Sequence, residues 1–157
     1  MADIVLINPR FAASYWGLNY AMPFFGHIRA FLPVINLPLL AALTPPEHIV
    51  TVIDENVEEI DFDRCSRADI VGLTGMIVQR QRMHEILSEL KRRNVFSVIG
   101  GPLVTVSPED FEEEADVIFL GEADETWPRF LQDWSRGQHE CRYEQAEKTD
   151  VKTDVAR

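Results

Sequence analysis

The chain has 157 residues, 46% of them hydrophobic, a size that supports one globular domain with a substantial core but not two comfortable ones. Its formal net charge of -11 would repel phosphate-rich partners, which argues against a nucleic-acid or membrane surface and for a small molecule or a protein. Cys65 and Cys141 are far apart and lack C-x-x-C spacing, so neither a metal knuckle nor a disulfide framework is signalled, and a reducing, cytoplasmic setting is expected.

The chain starts straight into a strand, Ile4 to Ile7, with no basic leader before it; the continuous β-branched run is that of a strand covered on both faces, and it stops at Asn8-Pro9. The stretch from Arg10 to Pro33 follows, with no acidic residue and nearly half of the chain's aromatics: Phe11, Tyr15, Trp16, Tyr20, Phe24, Phe25 and Phe31. FLPVINLPLLAAL is apolar but too short, and too interrupted by Pro33 and Pro38, to span a bilayer. Within it Pro38 to Leu43 reads as a short helix closed by Pro45-Pro46.

His48 to Ile53 and Asp69 to Leu73 give the second and third strands. Between Val78 and Arg93 the residues Met83, Ile86, Leu87 and Leu90 fall at i, i+3, i+4, i+7, the pattern of an amphipathic helix, with Asn94 as its cap. Phe96 to Ile99 is the fourth strand. Ser107-Pro108-Glu109-Asp110 has the form of a capping box and predicts a short helix there. Asp116 to Leu120 is the fifth strand, and Trp127, Phe130, Leu131 and Trp134 repeat the helical spacing up to Gly137. The rest, 138–157, is polar and aperiodic and reads as a linker or frayed tail, leaving 1–137 as the domain.

Strands alternating with helices imply parallel pairing through right-handed crossovers, hence an α/β three-layer sandwich of flavodoxin-like (Rossmann-like) type. A five-stranded parallel sheet in the order 2-1-3-4-5 is predicted, with ligands at the carboxyl ends of the strands. The candidate binding residues are therefore Asn8, Pro9, Thr74, Gly75, Met76, Gly100, Gly101, Pro102, Gly121 and Glu122. Glycine at these ends lets backbone approach a bulky ligand, although Gly100-Gly101 could equally just turn the chain before Pro102. The acidic residues of Asp54 to Glu59 and Glu109 to Glu114 read as solvated faces and helix-start charges, so no catalytic residue and no metal ligand is assigned. A phosphoacceptor receiver is excluded because Asn8-Pro9 and Thr74-Gly75 stand where its carboxylates belong, and Arg10 to Ala13 is not a flavin-phosphate loop.

Taken in order, INP, LPLLAALTPP, VIDEN, ADIVGLTG, VIGGPLVT and ADVIFLGEADETWP resemble the N-terminal cobalamin-binding domain of class B radical S-adenosylmethionine enzymes, over roughly Asp3 to Gly137. The resemblance places Gly100-Gly101 beside the nucleotide tail of cobalamin and matches Gly121-Glu122 to the family's G-E-G-E, with Ala123 and Asp124 replacing its second half. Leu103 stands where many relatives carry His. Other cobalamin domains carry D-x-H-x-x-G after the first strand to supply a lower cobalt ligand, whereas Asn8 to Ala13 holds no histidine; His27 is the one loop histidine that could substitute. The resemblance implies base-off cobalamin, with the iron-sulfur cluster and S-adenosylmethionine held by a C-terminal catalytic domain missing from this chain, and the parent a methyltransferase or another radical enzyme. The glycine pair is expected to matter for ligand more than for folding. The aromatic stretch would cover the corrin, meet the catalytic half or support self-association, unless it is a satellite core. The rival reading is a cobalamin-free interaction module of the same fold, which docks the catalytic barrel or a substrate.

Overall fold

The computed structural model of the chain describes residues 1–12, 24, 26 and 34–145. Strands β1 (Asp3–Asn8), β2 (Ile49–Asp54), β3 (Ile70–Thr74), β4 (Ser97–Gly100), β5 (Val117–Leu120) and β6 (Arg142–Glu144) form one sheet in the order β2-β1-β3-β4-β5-β6. All its pairings are parallel, so every strand ends at the same edge. The helices are α1 (Asn36–Leu43), α2 (Phe62–Cys65), α3 (Arg80–Arg92), α4 (Pro102–Val106) and α5 (Thr126–Ser135).

Side chains alternate along β1, and this alternation builds two cores. Val5 and Ile7 join Cys65 of α2, Leu87 of α3 and Val104 of α4 on one face. Ile4 and Leu6 join Leu37 of α1 and Trp127, Phe130 and Leu131 of α5 on the other. The predicted periodicity of α3 holds: Met83, Ile86, Leu87 and Leu90 are all 0% exposed, each stabilising the fold by about 1.5–3 kcal/mol. Asn94 closes that helix at φ 55°, a left-handed conformation that asparagine tolerates well.

The five-stranded expectation is corrected to six. Residues 142–144 lie in the stretch read as tail, yet they pair with β5 in the register Phe119 to Tyr143. The apolar anchor of β6 is Tyr143, whose ring is fully buried and stacks on Phe119 at 5.5 Å. Its hydroxyl donates to Asp133 at 3.0 Å and accepts from the Glu140 N–H, and the Arg129 guanidinium lies 5.0 Å from its ring centroid. The helix expected to start at Ser107 is also displaced. α4 has already begun at Pro102, the Ser107 side chain makes no capping bond, and only a 3-10 turn, Pro108–Asp110, follows. The aromatic stretch, apart from Arg10, Phe11, Ala12, Phe24 and Gly26, lies outside the described residues, as do His27 and residues 146–157. Among the described residues no helix is long and apolar enough to cross a membrane.

Burial raises the phenol pKa of Tyr143 above its usual value of about 10. The fold thus favours the protonated phenol. Its contribution is complete below the unfolded-state pKa and is lost as pH rises through the raised folded one. Unfolding midpoints in urea should therefore fall above pH ~10 in the native chain and fall less steeply in Tyr143→Phe; parallel pH profiles would remove the linkage.

Candidate functional site

A cleft of about 700 Å3 opens at the carboxyl edge of the sheet, between the sheet and the α1–α5 layer. That volume lies within the ~300–1,000 Å3 usual for small-molecule sites. Leu6, Val98 and Phe119 line it from the sheet, Leu37 and Leu40 from α1, and Trp127 from α5. The sheet wall lies low because Gly72 stands between Leu6 and Val98. A Cβ there would sit 2.8 Å from Leu6 Cδ2, so a larger residue would have to push into the neighbouring strands.

Two hydrogen bonds hold α1 over this wall. Asn36 Nδ2 donates to Thr74 Oγ1 at 3.0 Å, tying the start of the helix to the end of β3. At the other end the Trp127 indole N–H donates to Thr44 Oγ1 at 2.9 Å, and the Thr44 hydroxyl donates to the Leu40 carbonyl at 2.7 Å. The cleft is thus framed by packed elements, with an apolar interior and a polar rim of Thr105, Glu122 and Asp124.

Of the ten residues singled out in the sequence, Thr74, Gly100, Gly101, Pro102, Gly121 and Glu122 line this cleft. The other four gather beside it around Gln79, a polar side chain only 2% exposed. Gln79 Oε1 accepts from the Met76 N–H at 2.8 Å, and its Nε2 donates to Asn8 Oδ1 at 3.0 Å and to the Pro9 carbonyl. Gly75 faces α3, where a Cβ would meet Met83 Sδ at 2.5 Å. Gly101 has φ +99°, and a Cβ there would overlap Thr74 Oγ1. The expectation that the glycine pair matters more for ligand than for folding is therefore corrected at Gly101, where the backbone itself requires glycine.

The acidic run after β2 is not a uniformly solvated face. The Glu55 side chain is 1% exposed and accepts from Arg82 Nη2 at 2.6 Å, from Arg82 Nε at 3.0 Å and from the Arg10 N–H at 2.9 Å. This pairing raises the Arg82 pKa further above its ordinary value. Asn56 Oδ1 accepts from the Phe11 N–H at 2.9 Å, while Asp54 Oδ1 accepts from Asn8 Nδ2 at 2.9 Å. The chain leaving β1 is thereby clamped for its first residues. Glu58 and Glu59 remain exposed, as expected.

Gly72, Asn36, Gln79 and Trp127 were not assigned to the site from sequence. Gly72 carried a usable signal, since glycine inside a β-branched strand marks close approach of neighbouring groups. Among the described residues no histidine lines the cleft. His48 Nδ1 accepts from the Ala2 N–H, His84 stacks on Phe111 at 4.8 Å, and His139 meets Phe96 edge-on. Cys65 is buried, which pushes its thiol up to about 11 and leaves it inert.

Comparison with known proteins gives a consistent result. The family model of the B12 binding domain matches residues 24–131. An uncharacterized methyltransferase of Synechocystis sp. is 31% identical over 150 residues, covering 95% of this chain and 28% of that protein. The bacteriochlorophyllide d C-8(2)-methyltransferase of Chlorobaculum tepidum is 33% identical over 74% of this chain and 26% of its own length. The hopanoid C-2 methylase of Rhodopseudomonas palustris is 31% identical over 76% of this chain and 22% of its own. The chain thus spans less than a third of these relatives. With the match covering most of the sheet and both walls of the cleft, the chain belongs to the B12-binding domain family.

Proposed function

We propose that this chain holds cobalamin base-off, with the nucleotide tail in the cleft and the corrin over the strand ends, as the cofactor-carrying part of a larger radical S-adenosylmethionine methyltransferase. The observation that carries the reading is the cleft: a preformed, apolar slot opening where a parallel sheet presents its carboxyl ends. It suits the flat base of the tail and is too small for the whole cofactor, so the corrin would lie outside it, near Met76 and Ile77, which are 44% and 70% exposed. When bound, cobalamin would supply a cobalt able to carry a transferable methyl group. The chain's own residues orient the tail and exclude water from it; the iron-sulfur cluster and S-adenosylmethionine would come from the remainder of the parent. The relatives' names, methyltransferases and a methylase, support the methyl-transfer reading.

The test is reconstitution. The purified chain incubated with hydroxocobalamin and desalted should keep the corrin visible spectrum. Leu40→Trp, which fills the cleft from a half-buried position on α1, should lose at least tenfold in affinity while its thermal transition stays cooperative. A colourless native protein would favour the interaction-module reading instead.

The lower face of the cobalt is expected to lack a histidine. The run from Asn8 to Ala13 contains none, and the Arg10 and Phe11 N–H groups are held by Glu55 and Asn56. Electron paramagnetic resonance of the loaded cobalt(II) form should show no nitrogen superhyperfine coupling. Coupling that disappears in His27→Ala would make His27 the ligand.

A further inference from the structure

The walls of the cleft also bear on which lower base it takes. We propose that the cleft selects among cobamides by the base of the nucleotide tail, favouring an apolar benzimidazole over a purine such as adenine. The inference rests on the seating of the tail proposed above.

It follows from a count of polar groups. The deepest lining residues, Leu6, Leu37, Val98, Phe119 and Trp127, are each at most 5% exposed, and four of them carry no polar side-chain atom. The fifth, Trp127, has already given its indole N–H to Thr44, and the Thr44 hydroxyl is given to the Leu40 carbonyl. Thr74 Oγ1 accepts from Asn36 and keeps one hydrogen to donate. Among the described residues no buried side-chain nitrogen or oxygen lacks a partner, so the Thr74 hydrogen is what the side chains of the inner wall have left for a polar ligand. At the rim the Thr105 hydroxyl donates to the Gly101 carbonyl and accepts from the Gly121 N–H, and the Glu122 and Asp124 carboxylates belong to this outer edge, not to the buried wall.

A benzimidazole released from cobalt has one free ring nitrogen, and a single hydroxyl hydrogen matches it. Adenine brings an exocyclic amine and further ring nitrogens, which would leave water against the inner side chains with at most the Thr74 hydroxyl to meet them. A buried polar group without a partner is costly, whereas the methyl groups of a dimethylbenzimidazole gain from apolar walls. A single unmet group is enough for about a tenfold discrimination, and two approach a hundredfold.

The experiment titrates the intact chain calorimetrically with cobalamin, with the adeninyl cobamide and with cobinamide, which has no base, each affinity being corrected for the cost of releasing the base from cobalt, read from a base-on/base-off pH titration of the free cobamide. Expected is the order cobalamin, adeninyl cobamide, cobinamide, with about ten- to a hundredfold between the first two. Leu40→Gln, which sets an amide on the cleft wall able to pair with a purine edge, should narrow that first interval. Equal binding of the two complete cobamides, both tighter than cobinamide, would overturn the base preference alone. Equal binding of all three would overturn the seating of the tail as well, and binding of none would overturn the proposed function itself. A preference unchanged by Leu40→Gln would overturn the wall as its origin.

Discussion

Gly101→Val will unfold the carboxyl edge of the sheet, not merely empty the cleft. The residue sits at φ +99°, ψ -178°, a region closed to β-branched side chains. Its Cβ would also overlap Thr74 Oγ1 and lie 3.2 Å from the Gly75 backbone nitrogen. Relief requires Thr74 to turn away, which breaks its bond from Asn36 and frees the start of α1. Backbone strain and overpacking each cost about 1–3 kcal/mol, so a loss of about 3 kcal/mol or more is expected in urea unfolding. Gly101→Ala should suffer from the same two causes to a smaller extent. A valine variant within about 1 kcal/mol of the native chain would show that this edge relaxes freely.

The second large effect lies at the clamp after β1. In Arg82→Met the Glu55 carboxylate stays buried and loses the guanidinium that makes three of its contacts, keeping the Arg10 N–H. Removing one partner of such a pair costs about 3–5 kcal/mol; because Arg82 is itself 21% exposed, about 3 kcal/mol is expected here. The double variant Arg82→Met/Glu55→Leu should recover much of that loss, since two apolar groups replace the pair without stranding a charge. Denaturant midpoints for the single and double variants decide the matter. A double variant as unstable as the single would mean that Glu55 matters through its hold on Arg10, not through its charge.

What the sequence revealed and what it hid have physical causes. Strands β1 to β5 and helices α3 and α5 were legible because burial on one or both faces imposes a periodicity on contiguous residues. β6 was not: a three-residue strand with exposed Arg142 and Glu144 presents a single buried side chain, too little to show a period. α4 was hidden behind Gly100-Gly101-Pro102, which reads as a turn although Pro102 sits in the first turn of a helix. The cleft's position followed from parallel topology alone, and six of the ten strand-end residues line it. Glu55 and Gln79 were missed because their burial depends on partners far along the chain, Arg82 and Asn8, and no local pattern records a contact 27 or 71 residues away.

The direction of β6 has a consequence for whatever is joined after it. Because the strand runs parallel to β5, the next residue, Gln145, stands at the rim of the cleft, its N–H bonded to the Leu120 carbonyl at 3.0 Å. A return in the opposite direction would have placed the exit about 10 Å away, at ~3.3 Å per residue, on the far side of the strand. A module joined flexibly after this point would be rooted at the rim and held at an effective concentration of order millimolar beside the proposed cofactor face, without any contact between the two. Unzipping β6, as ionisation of Tyr143 would favour, would free residues 142–144 and draw that root away from the rim.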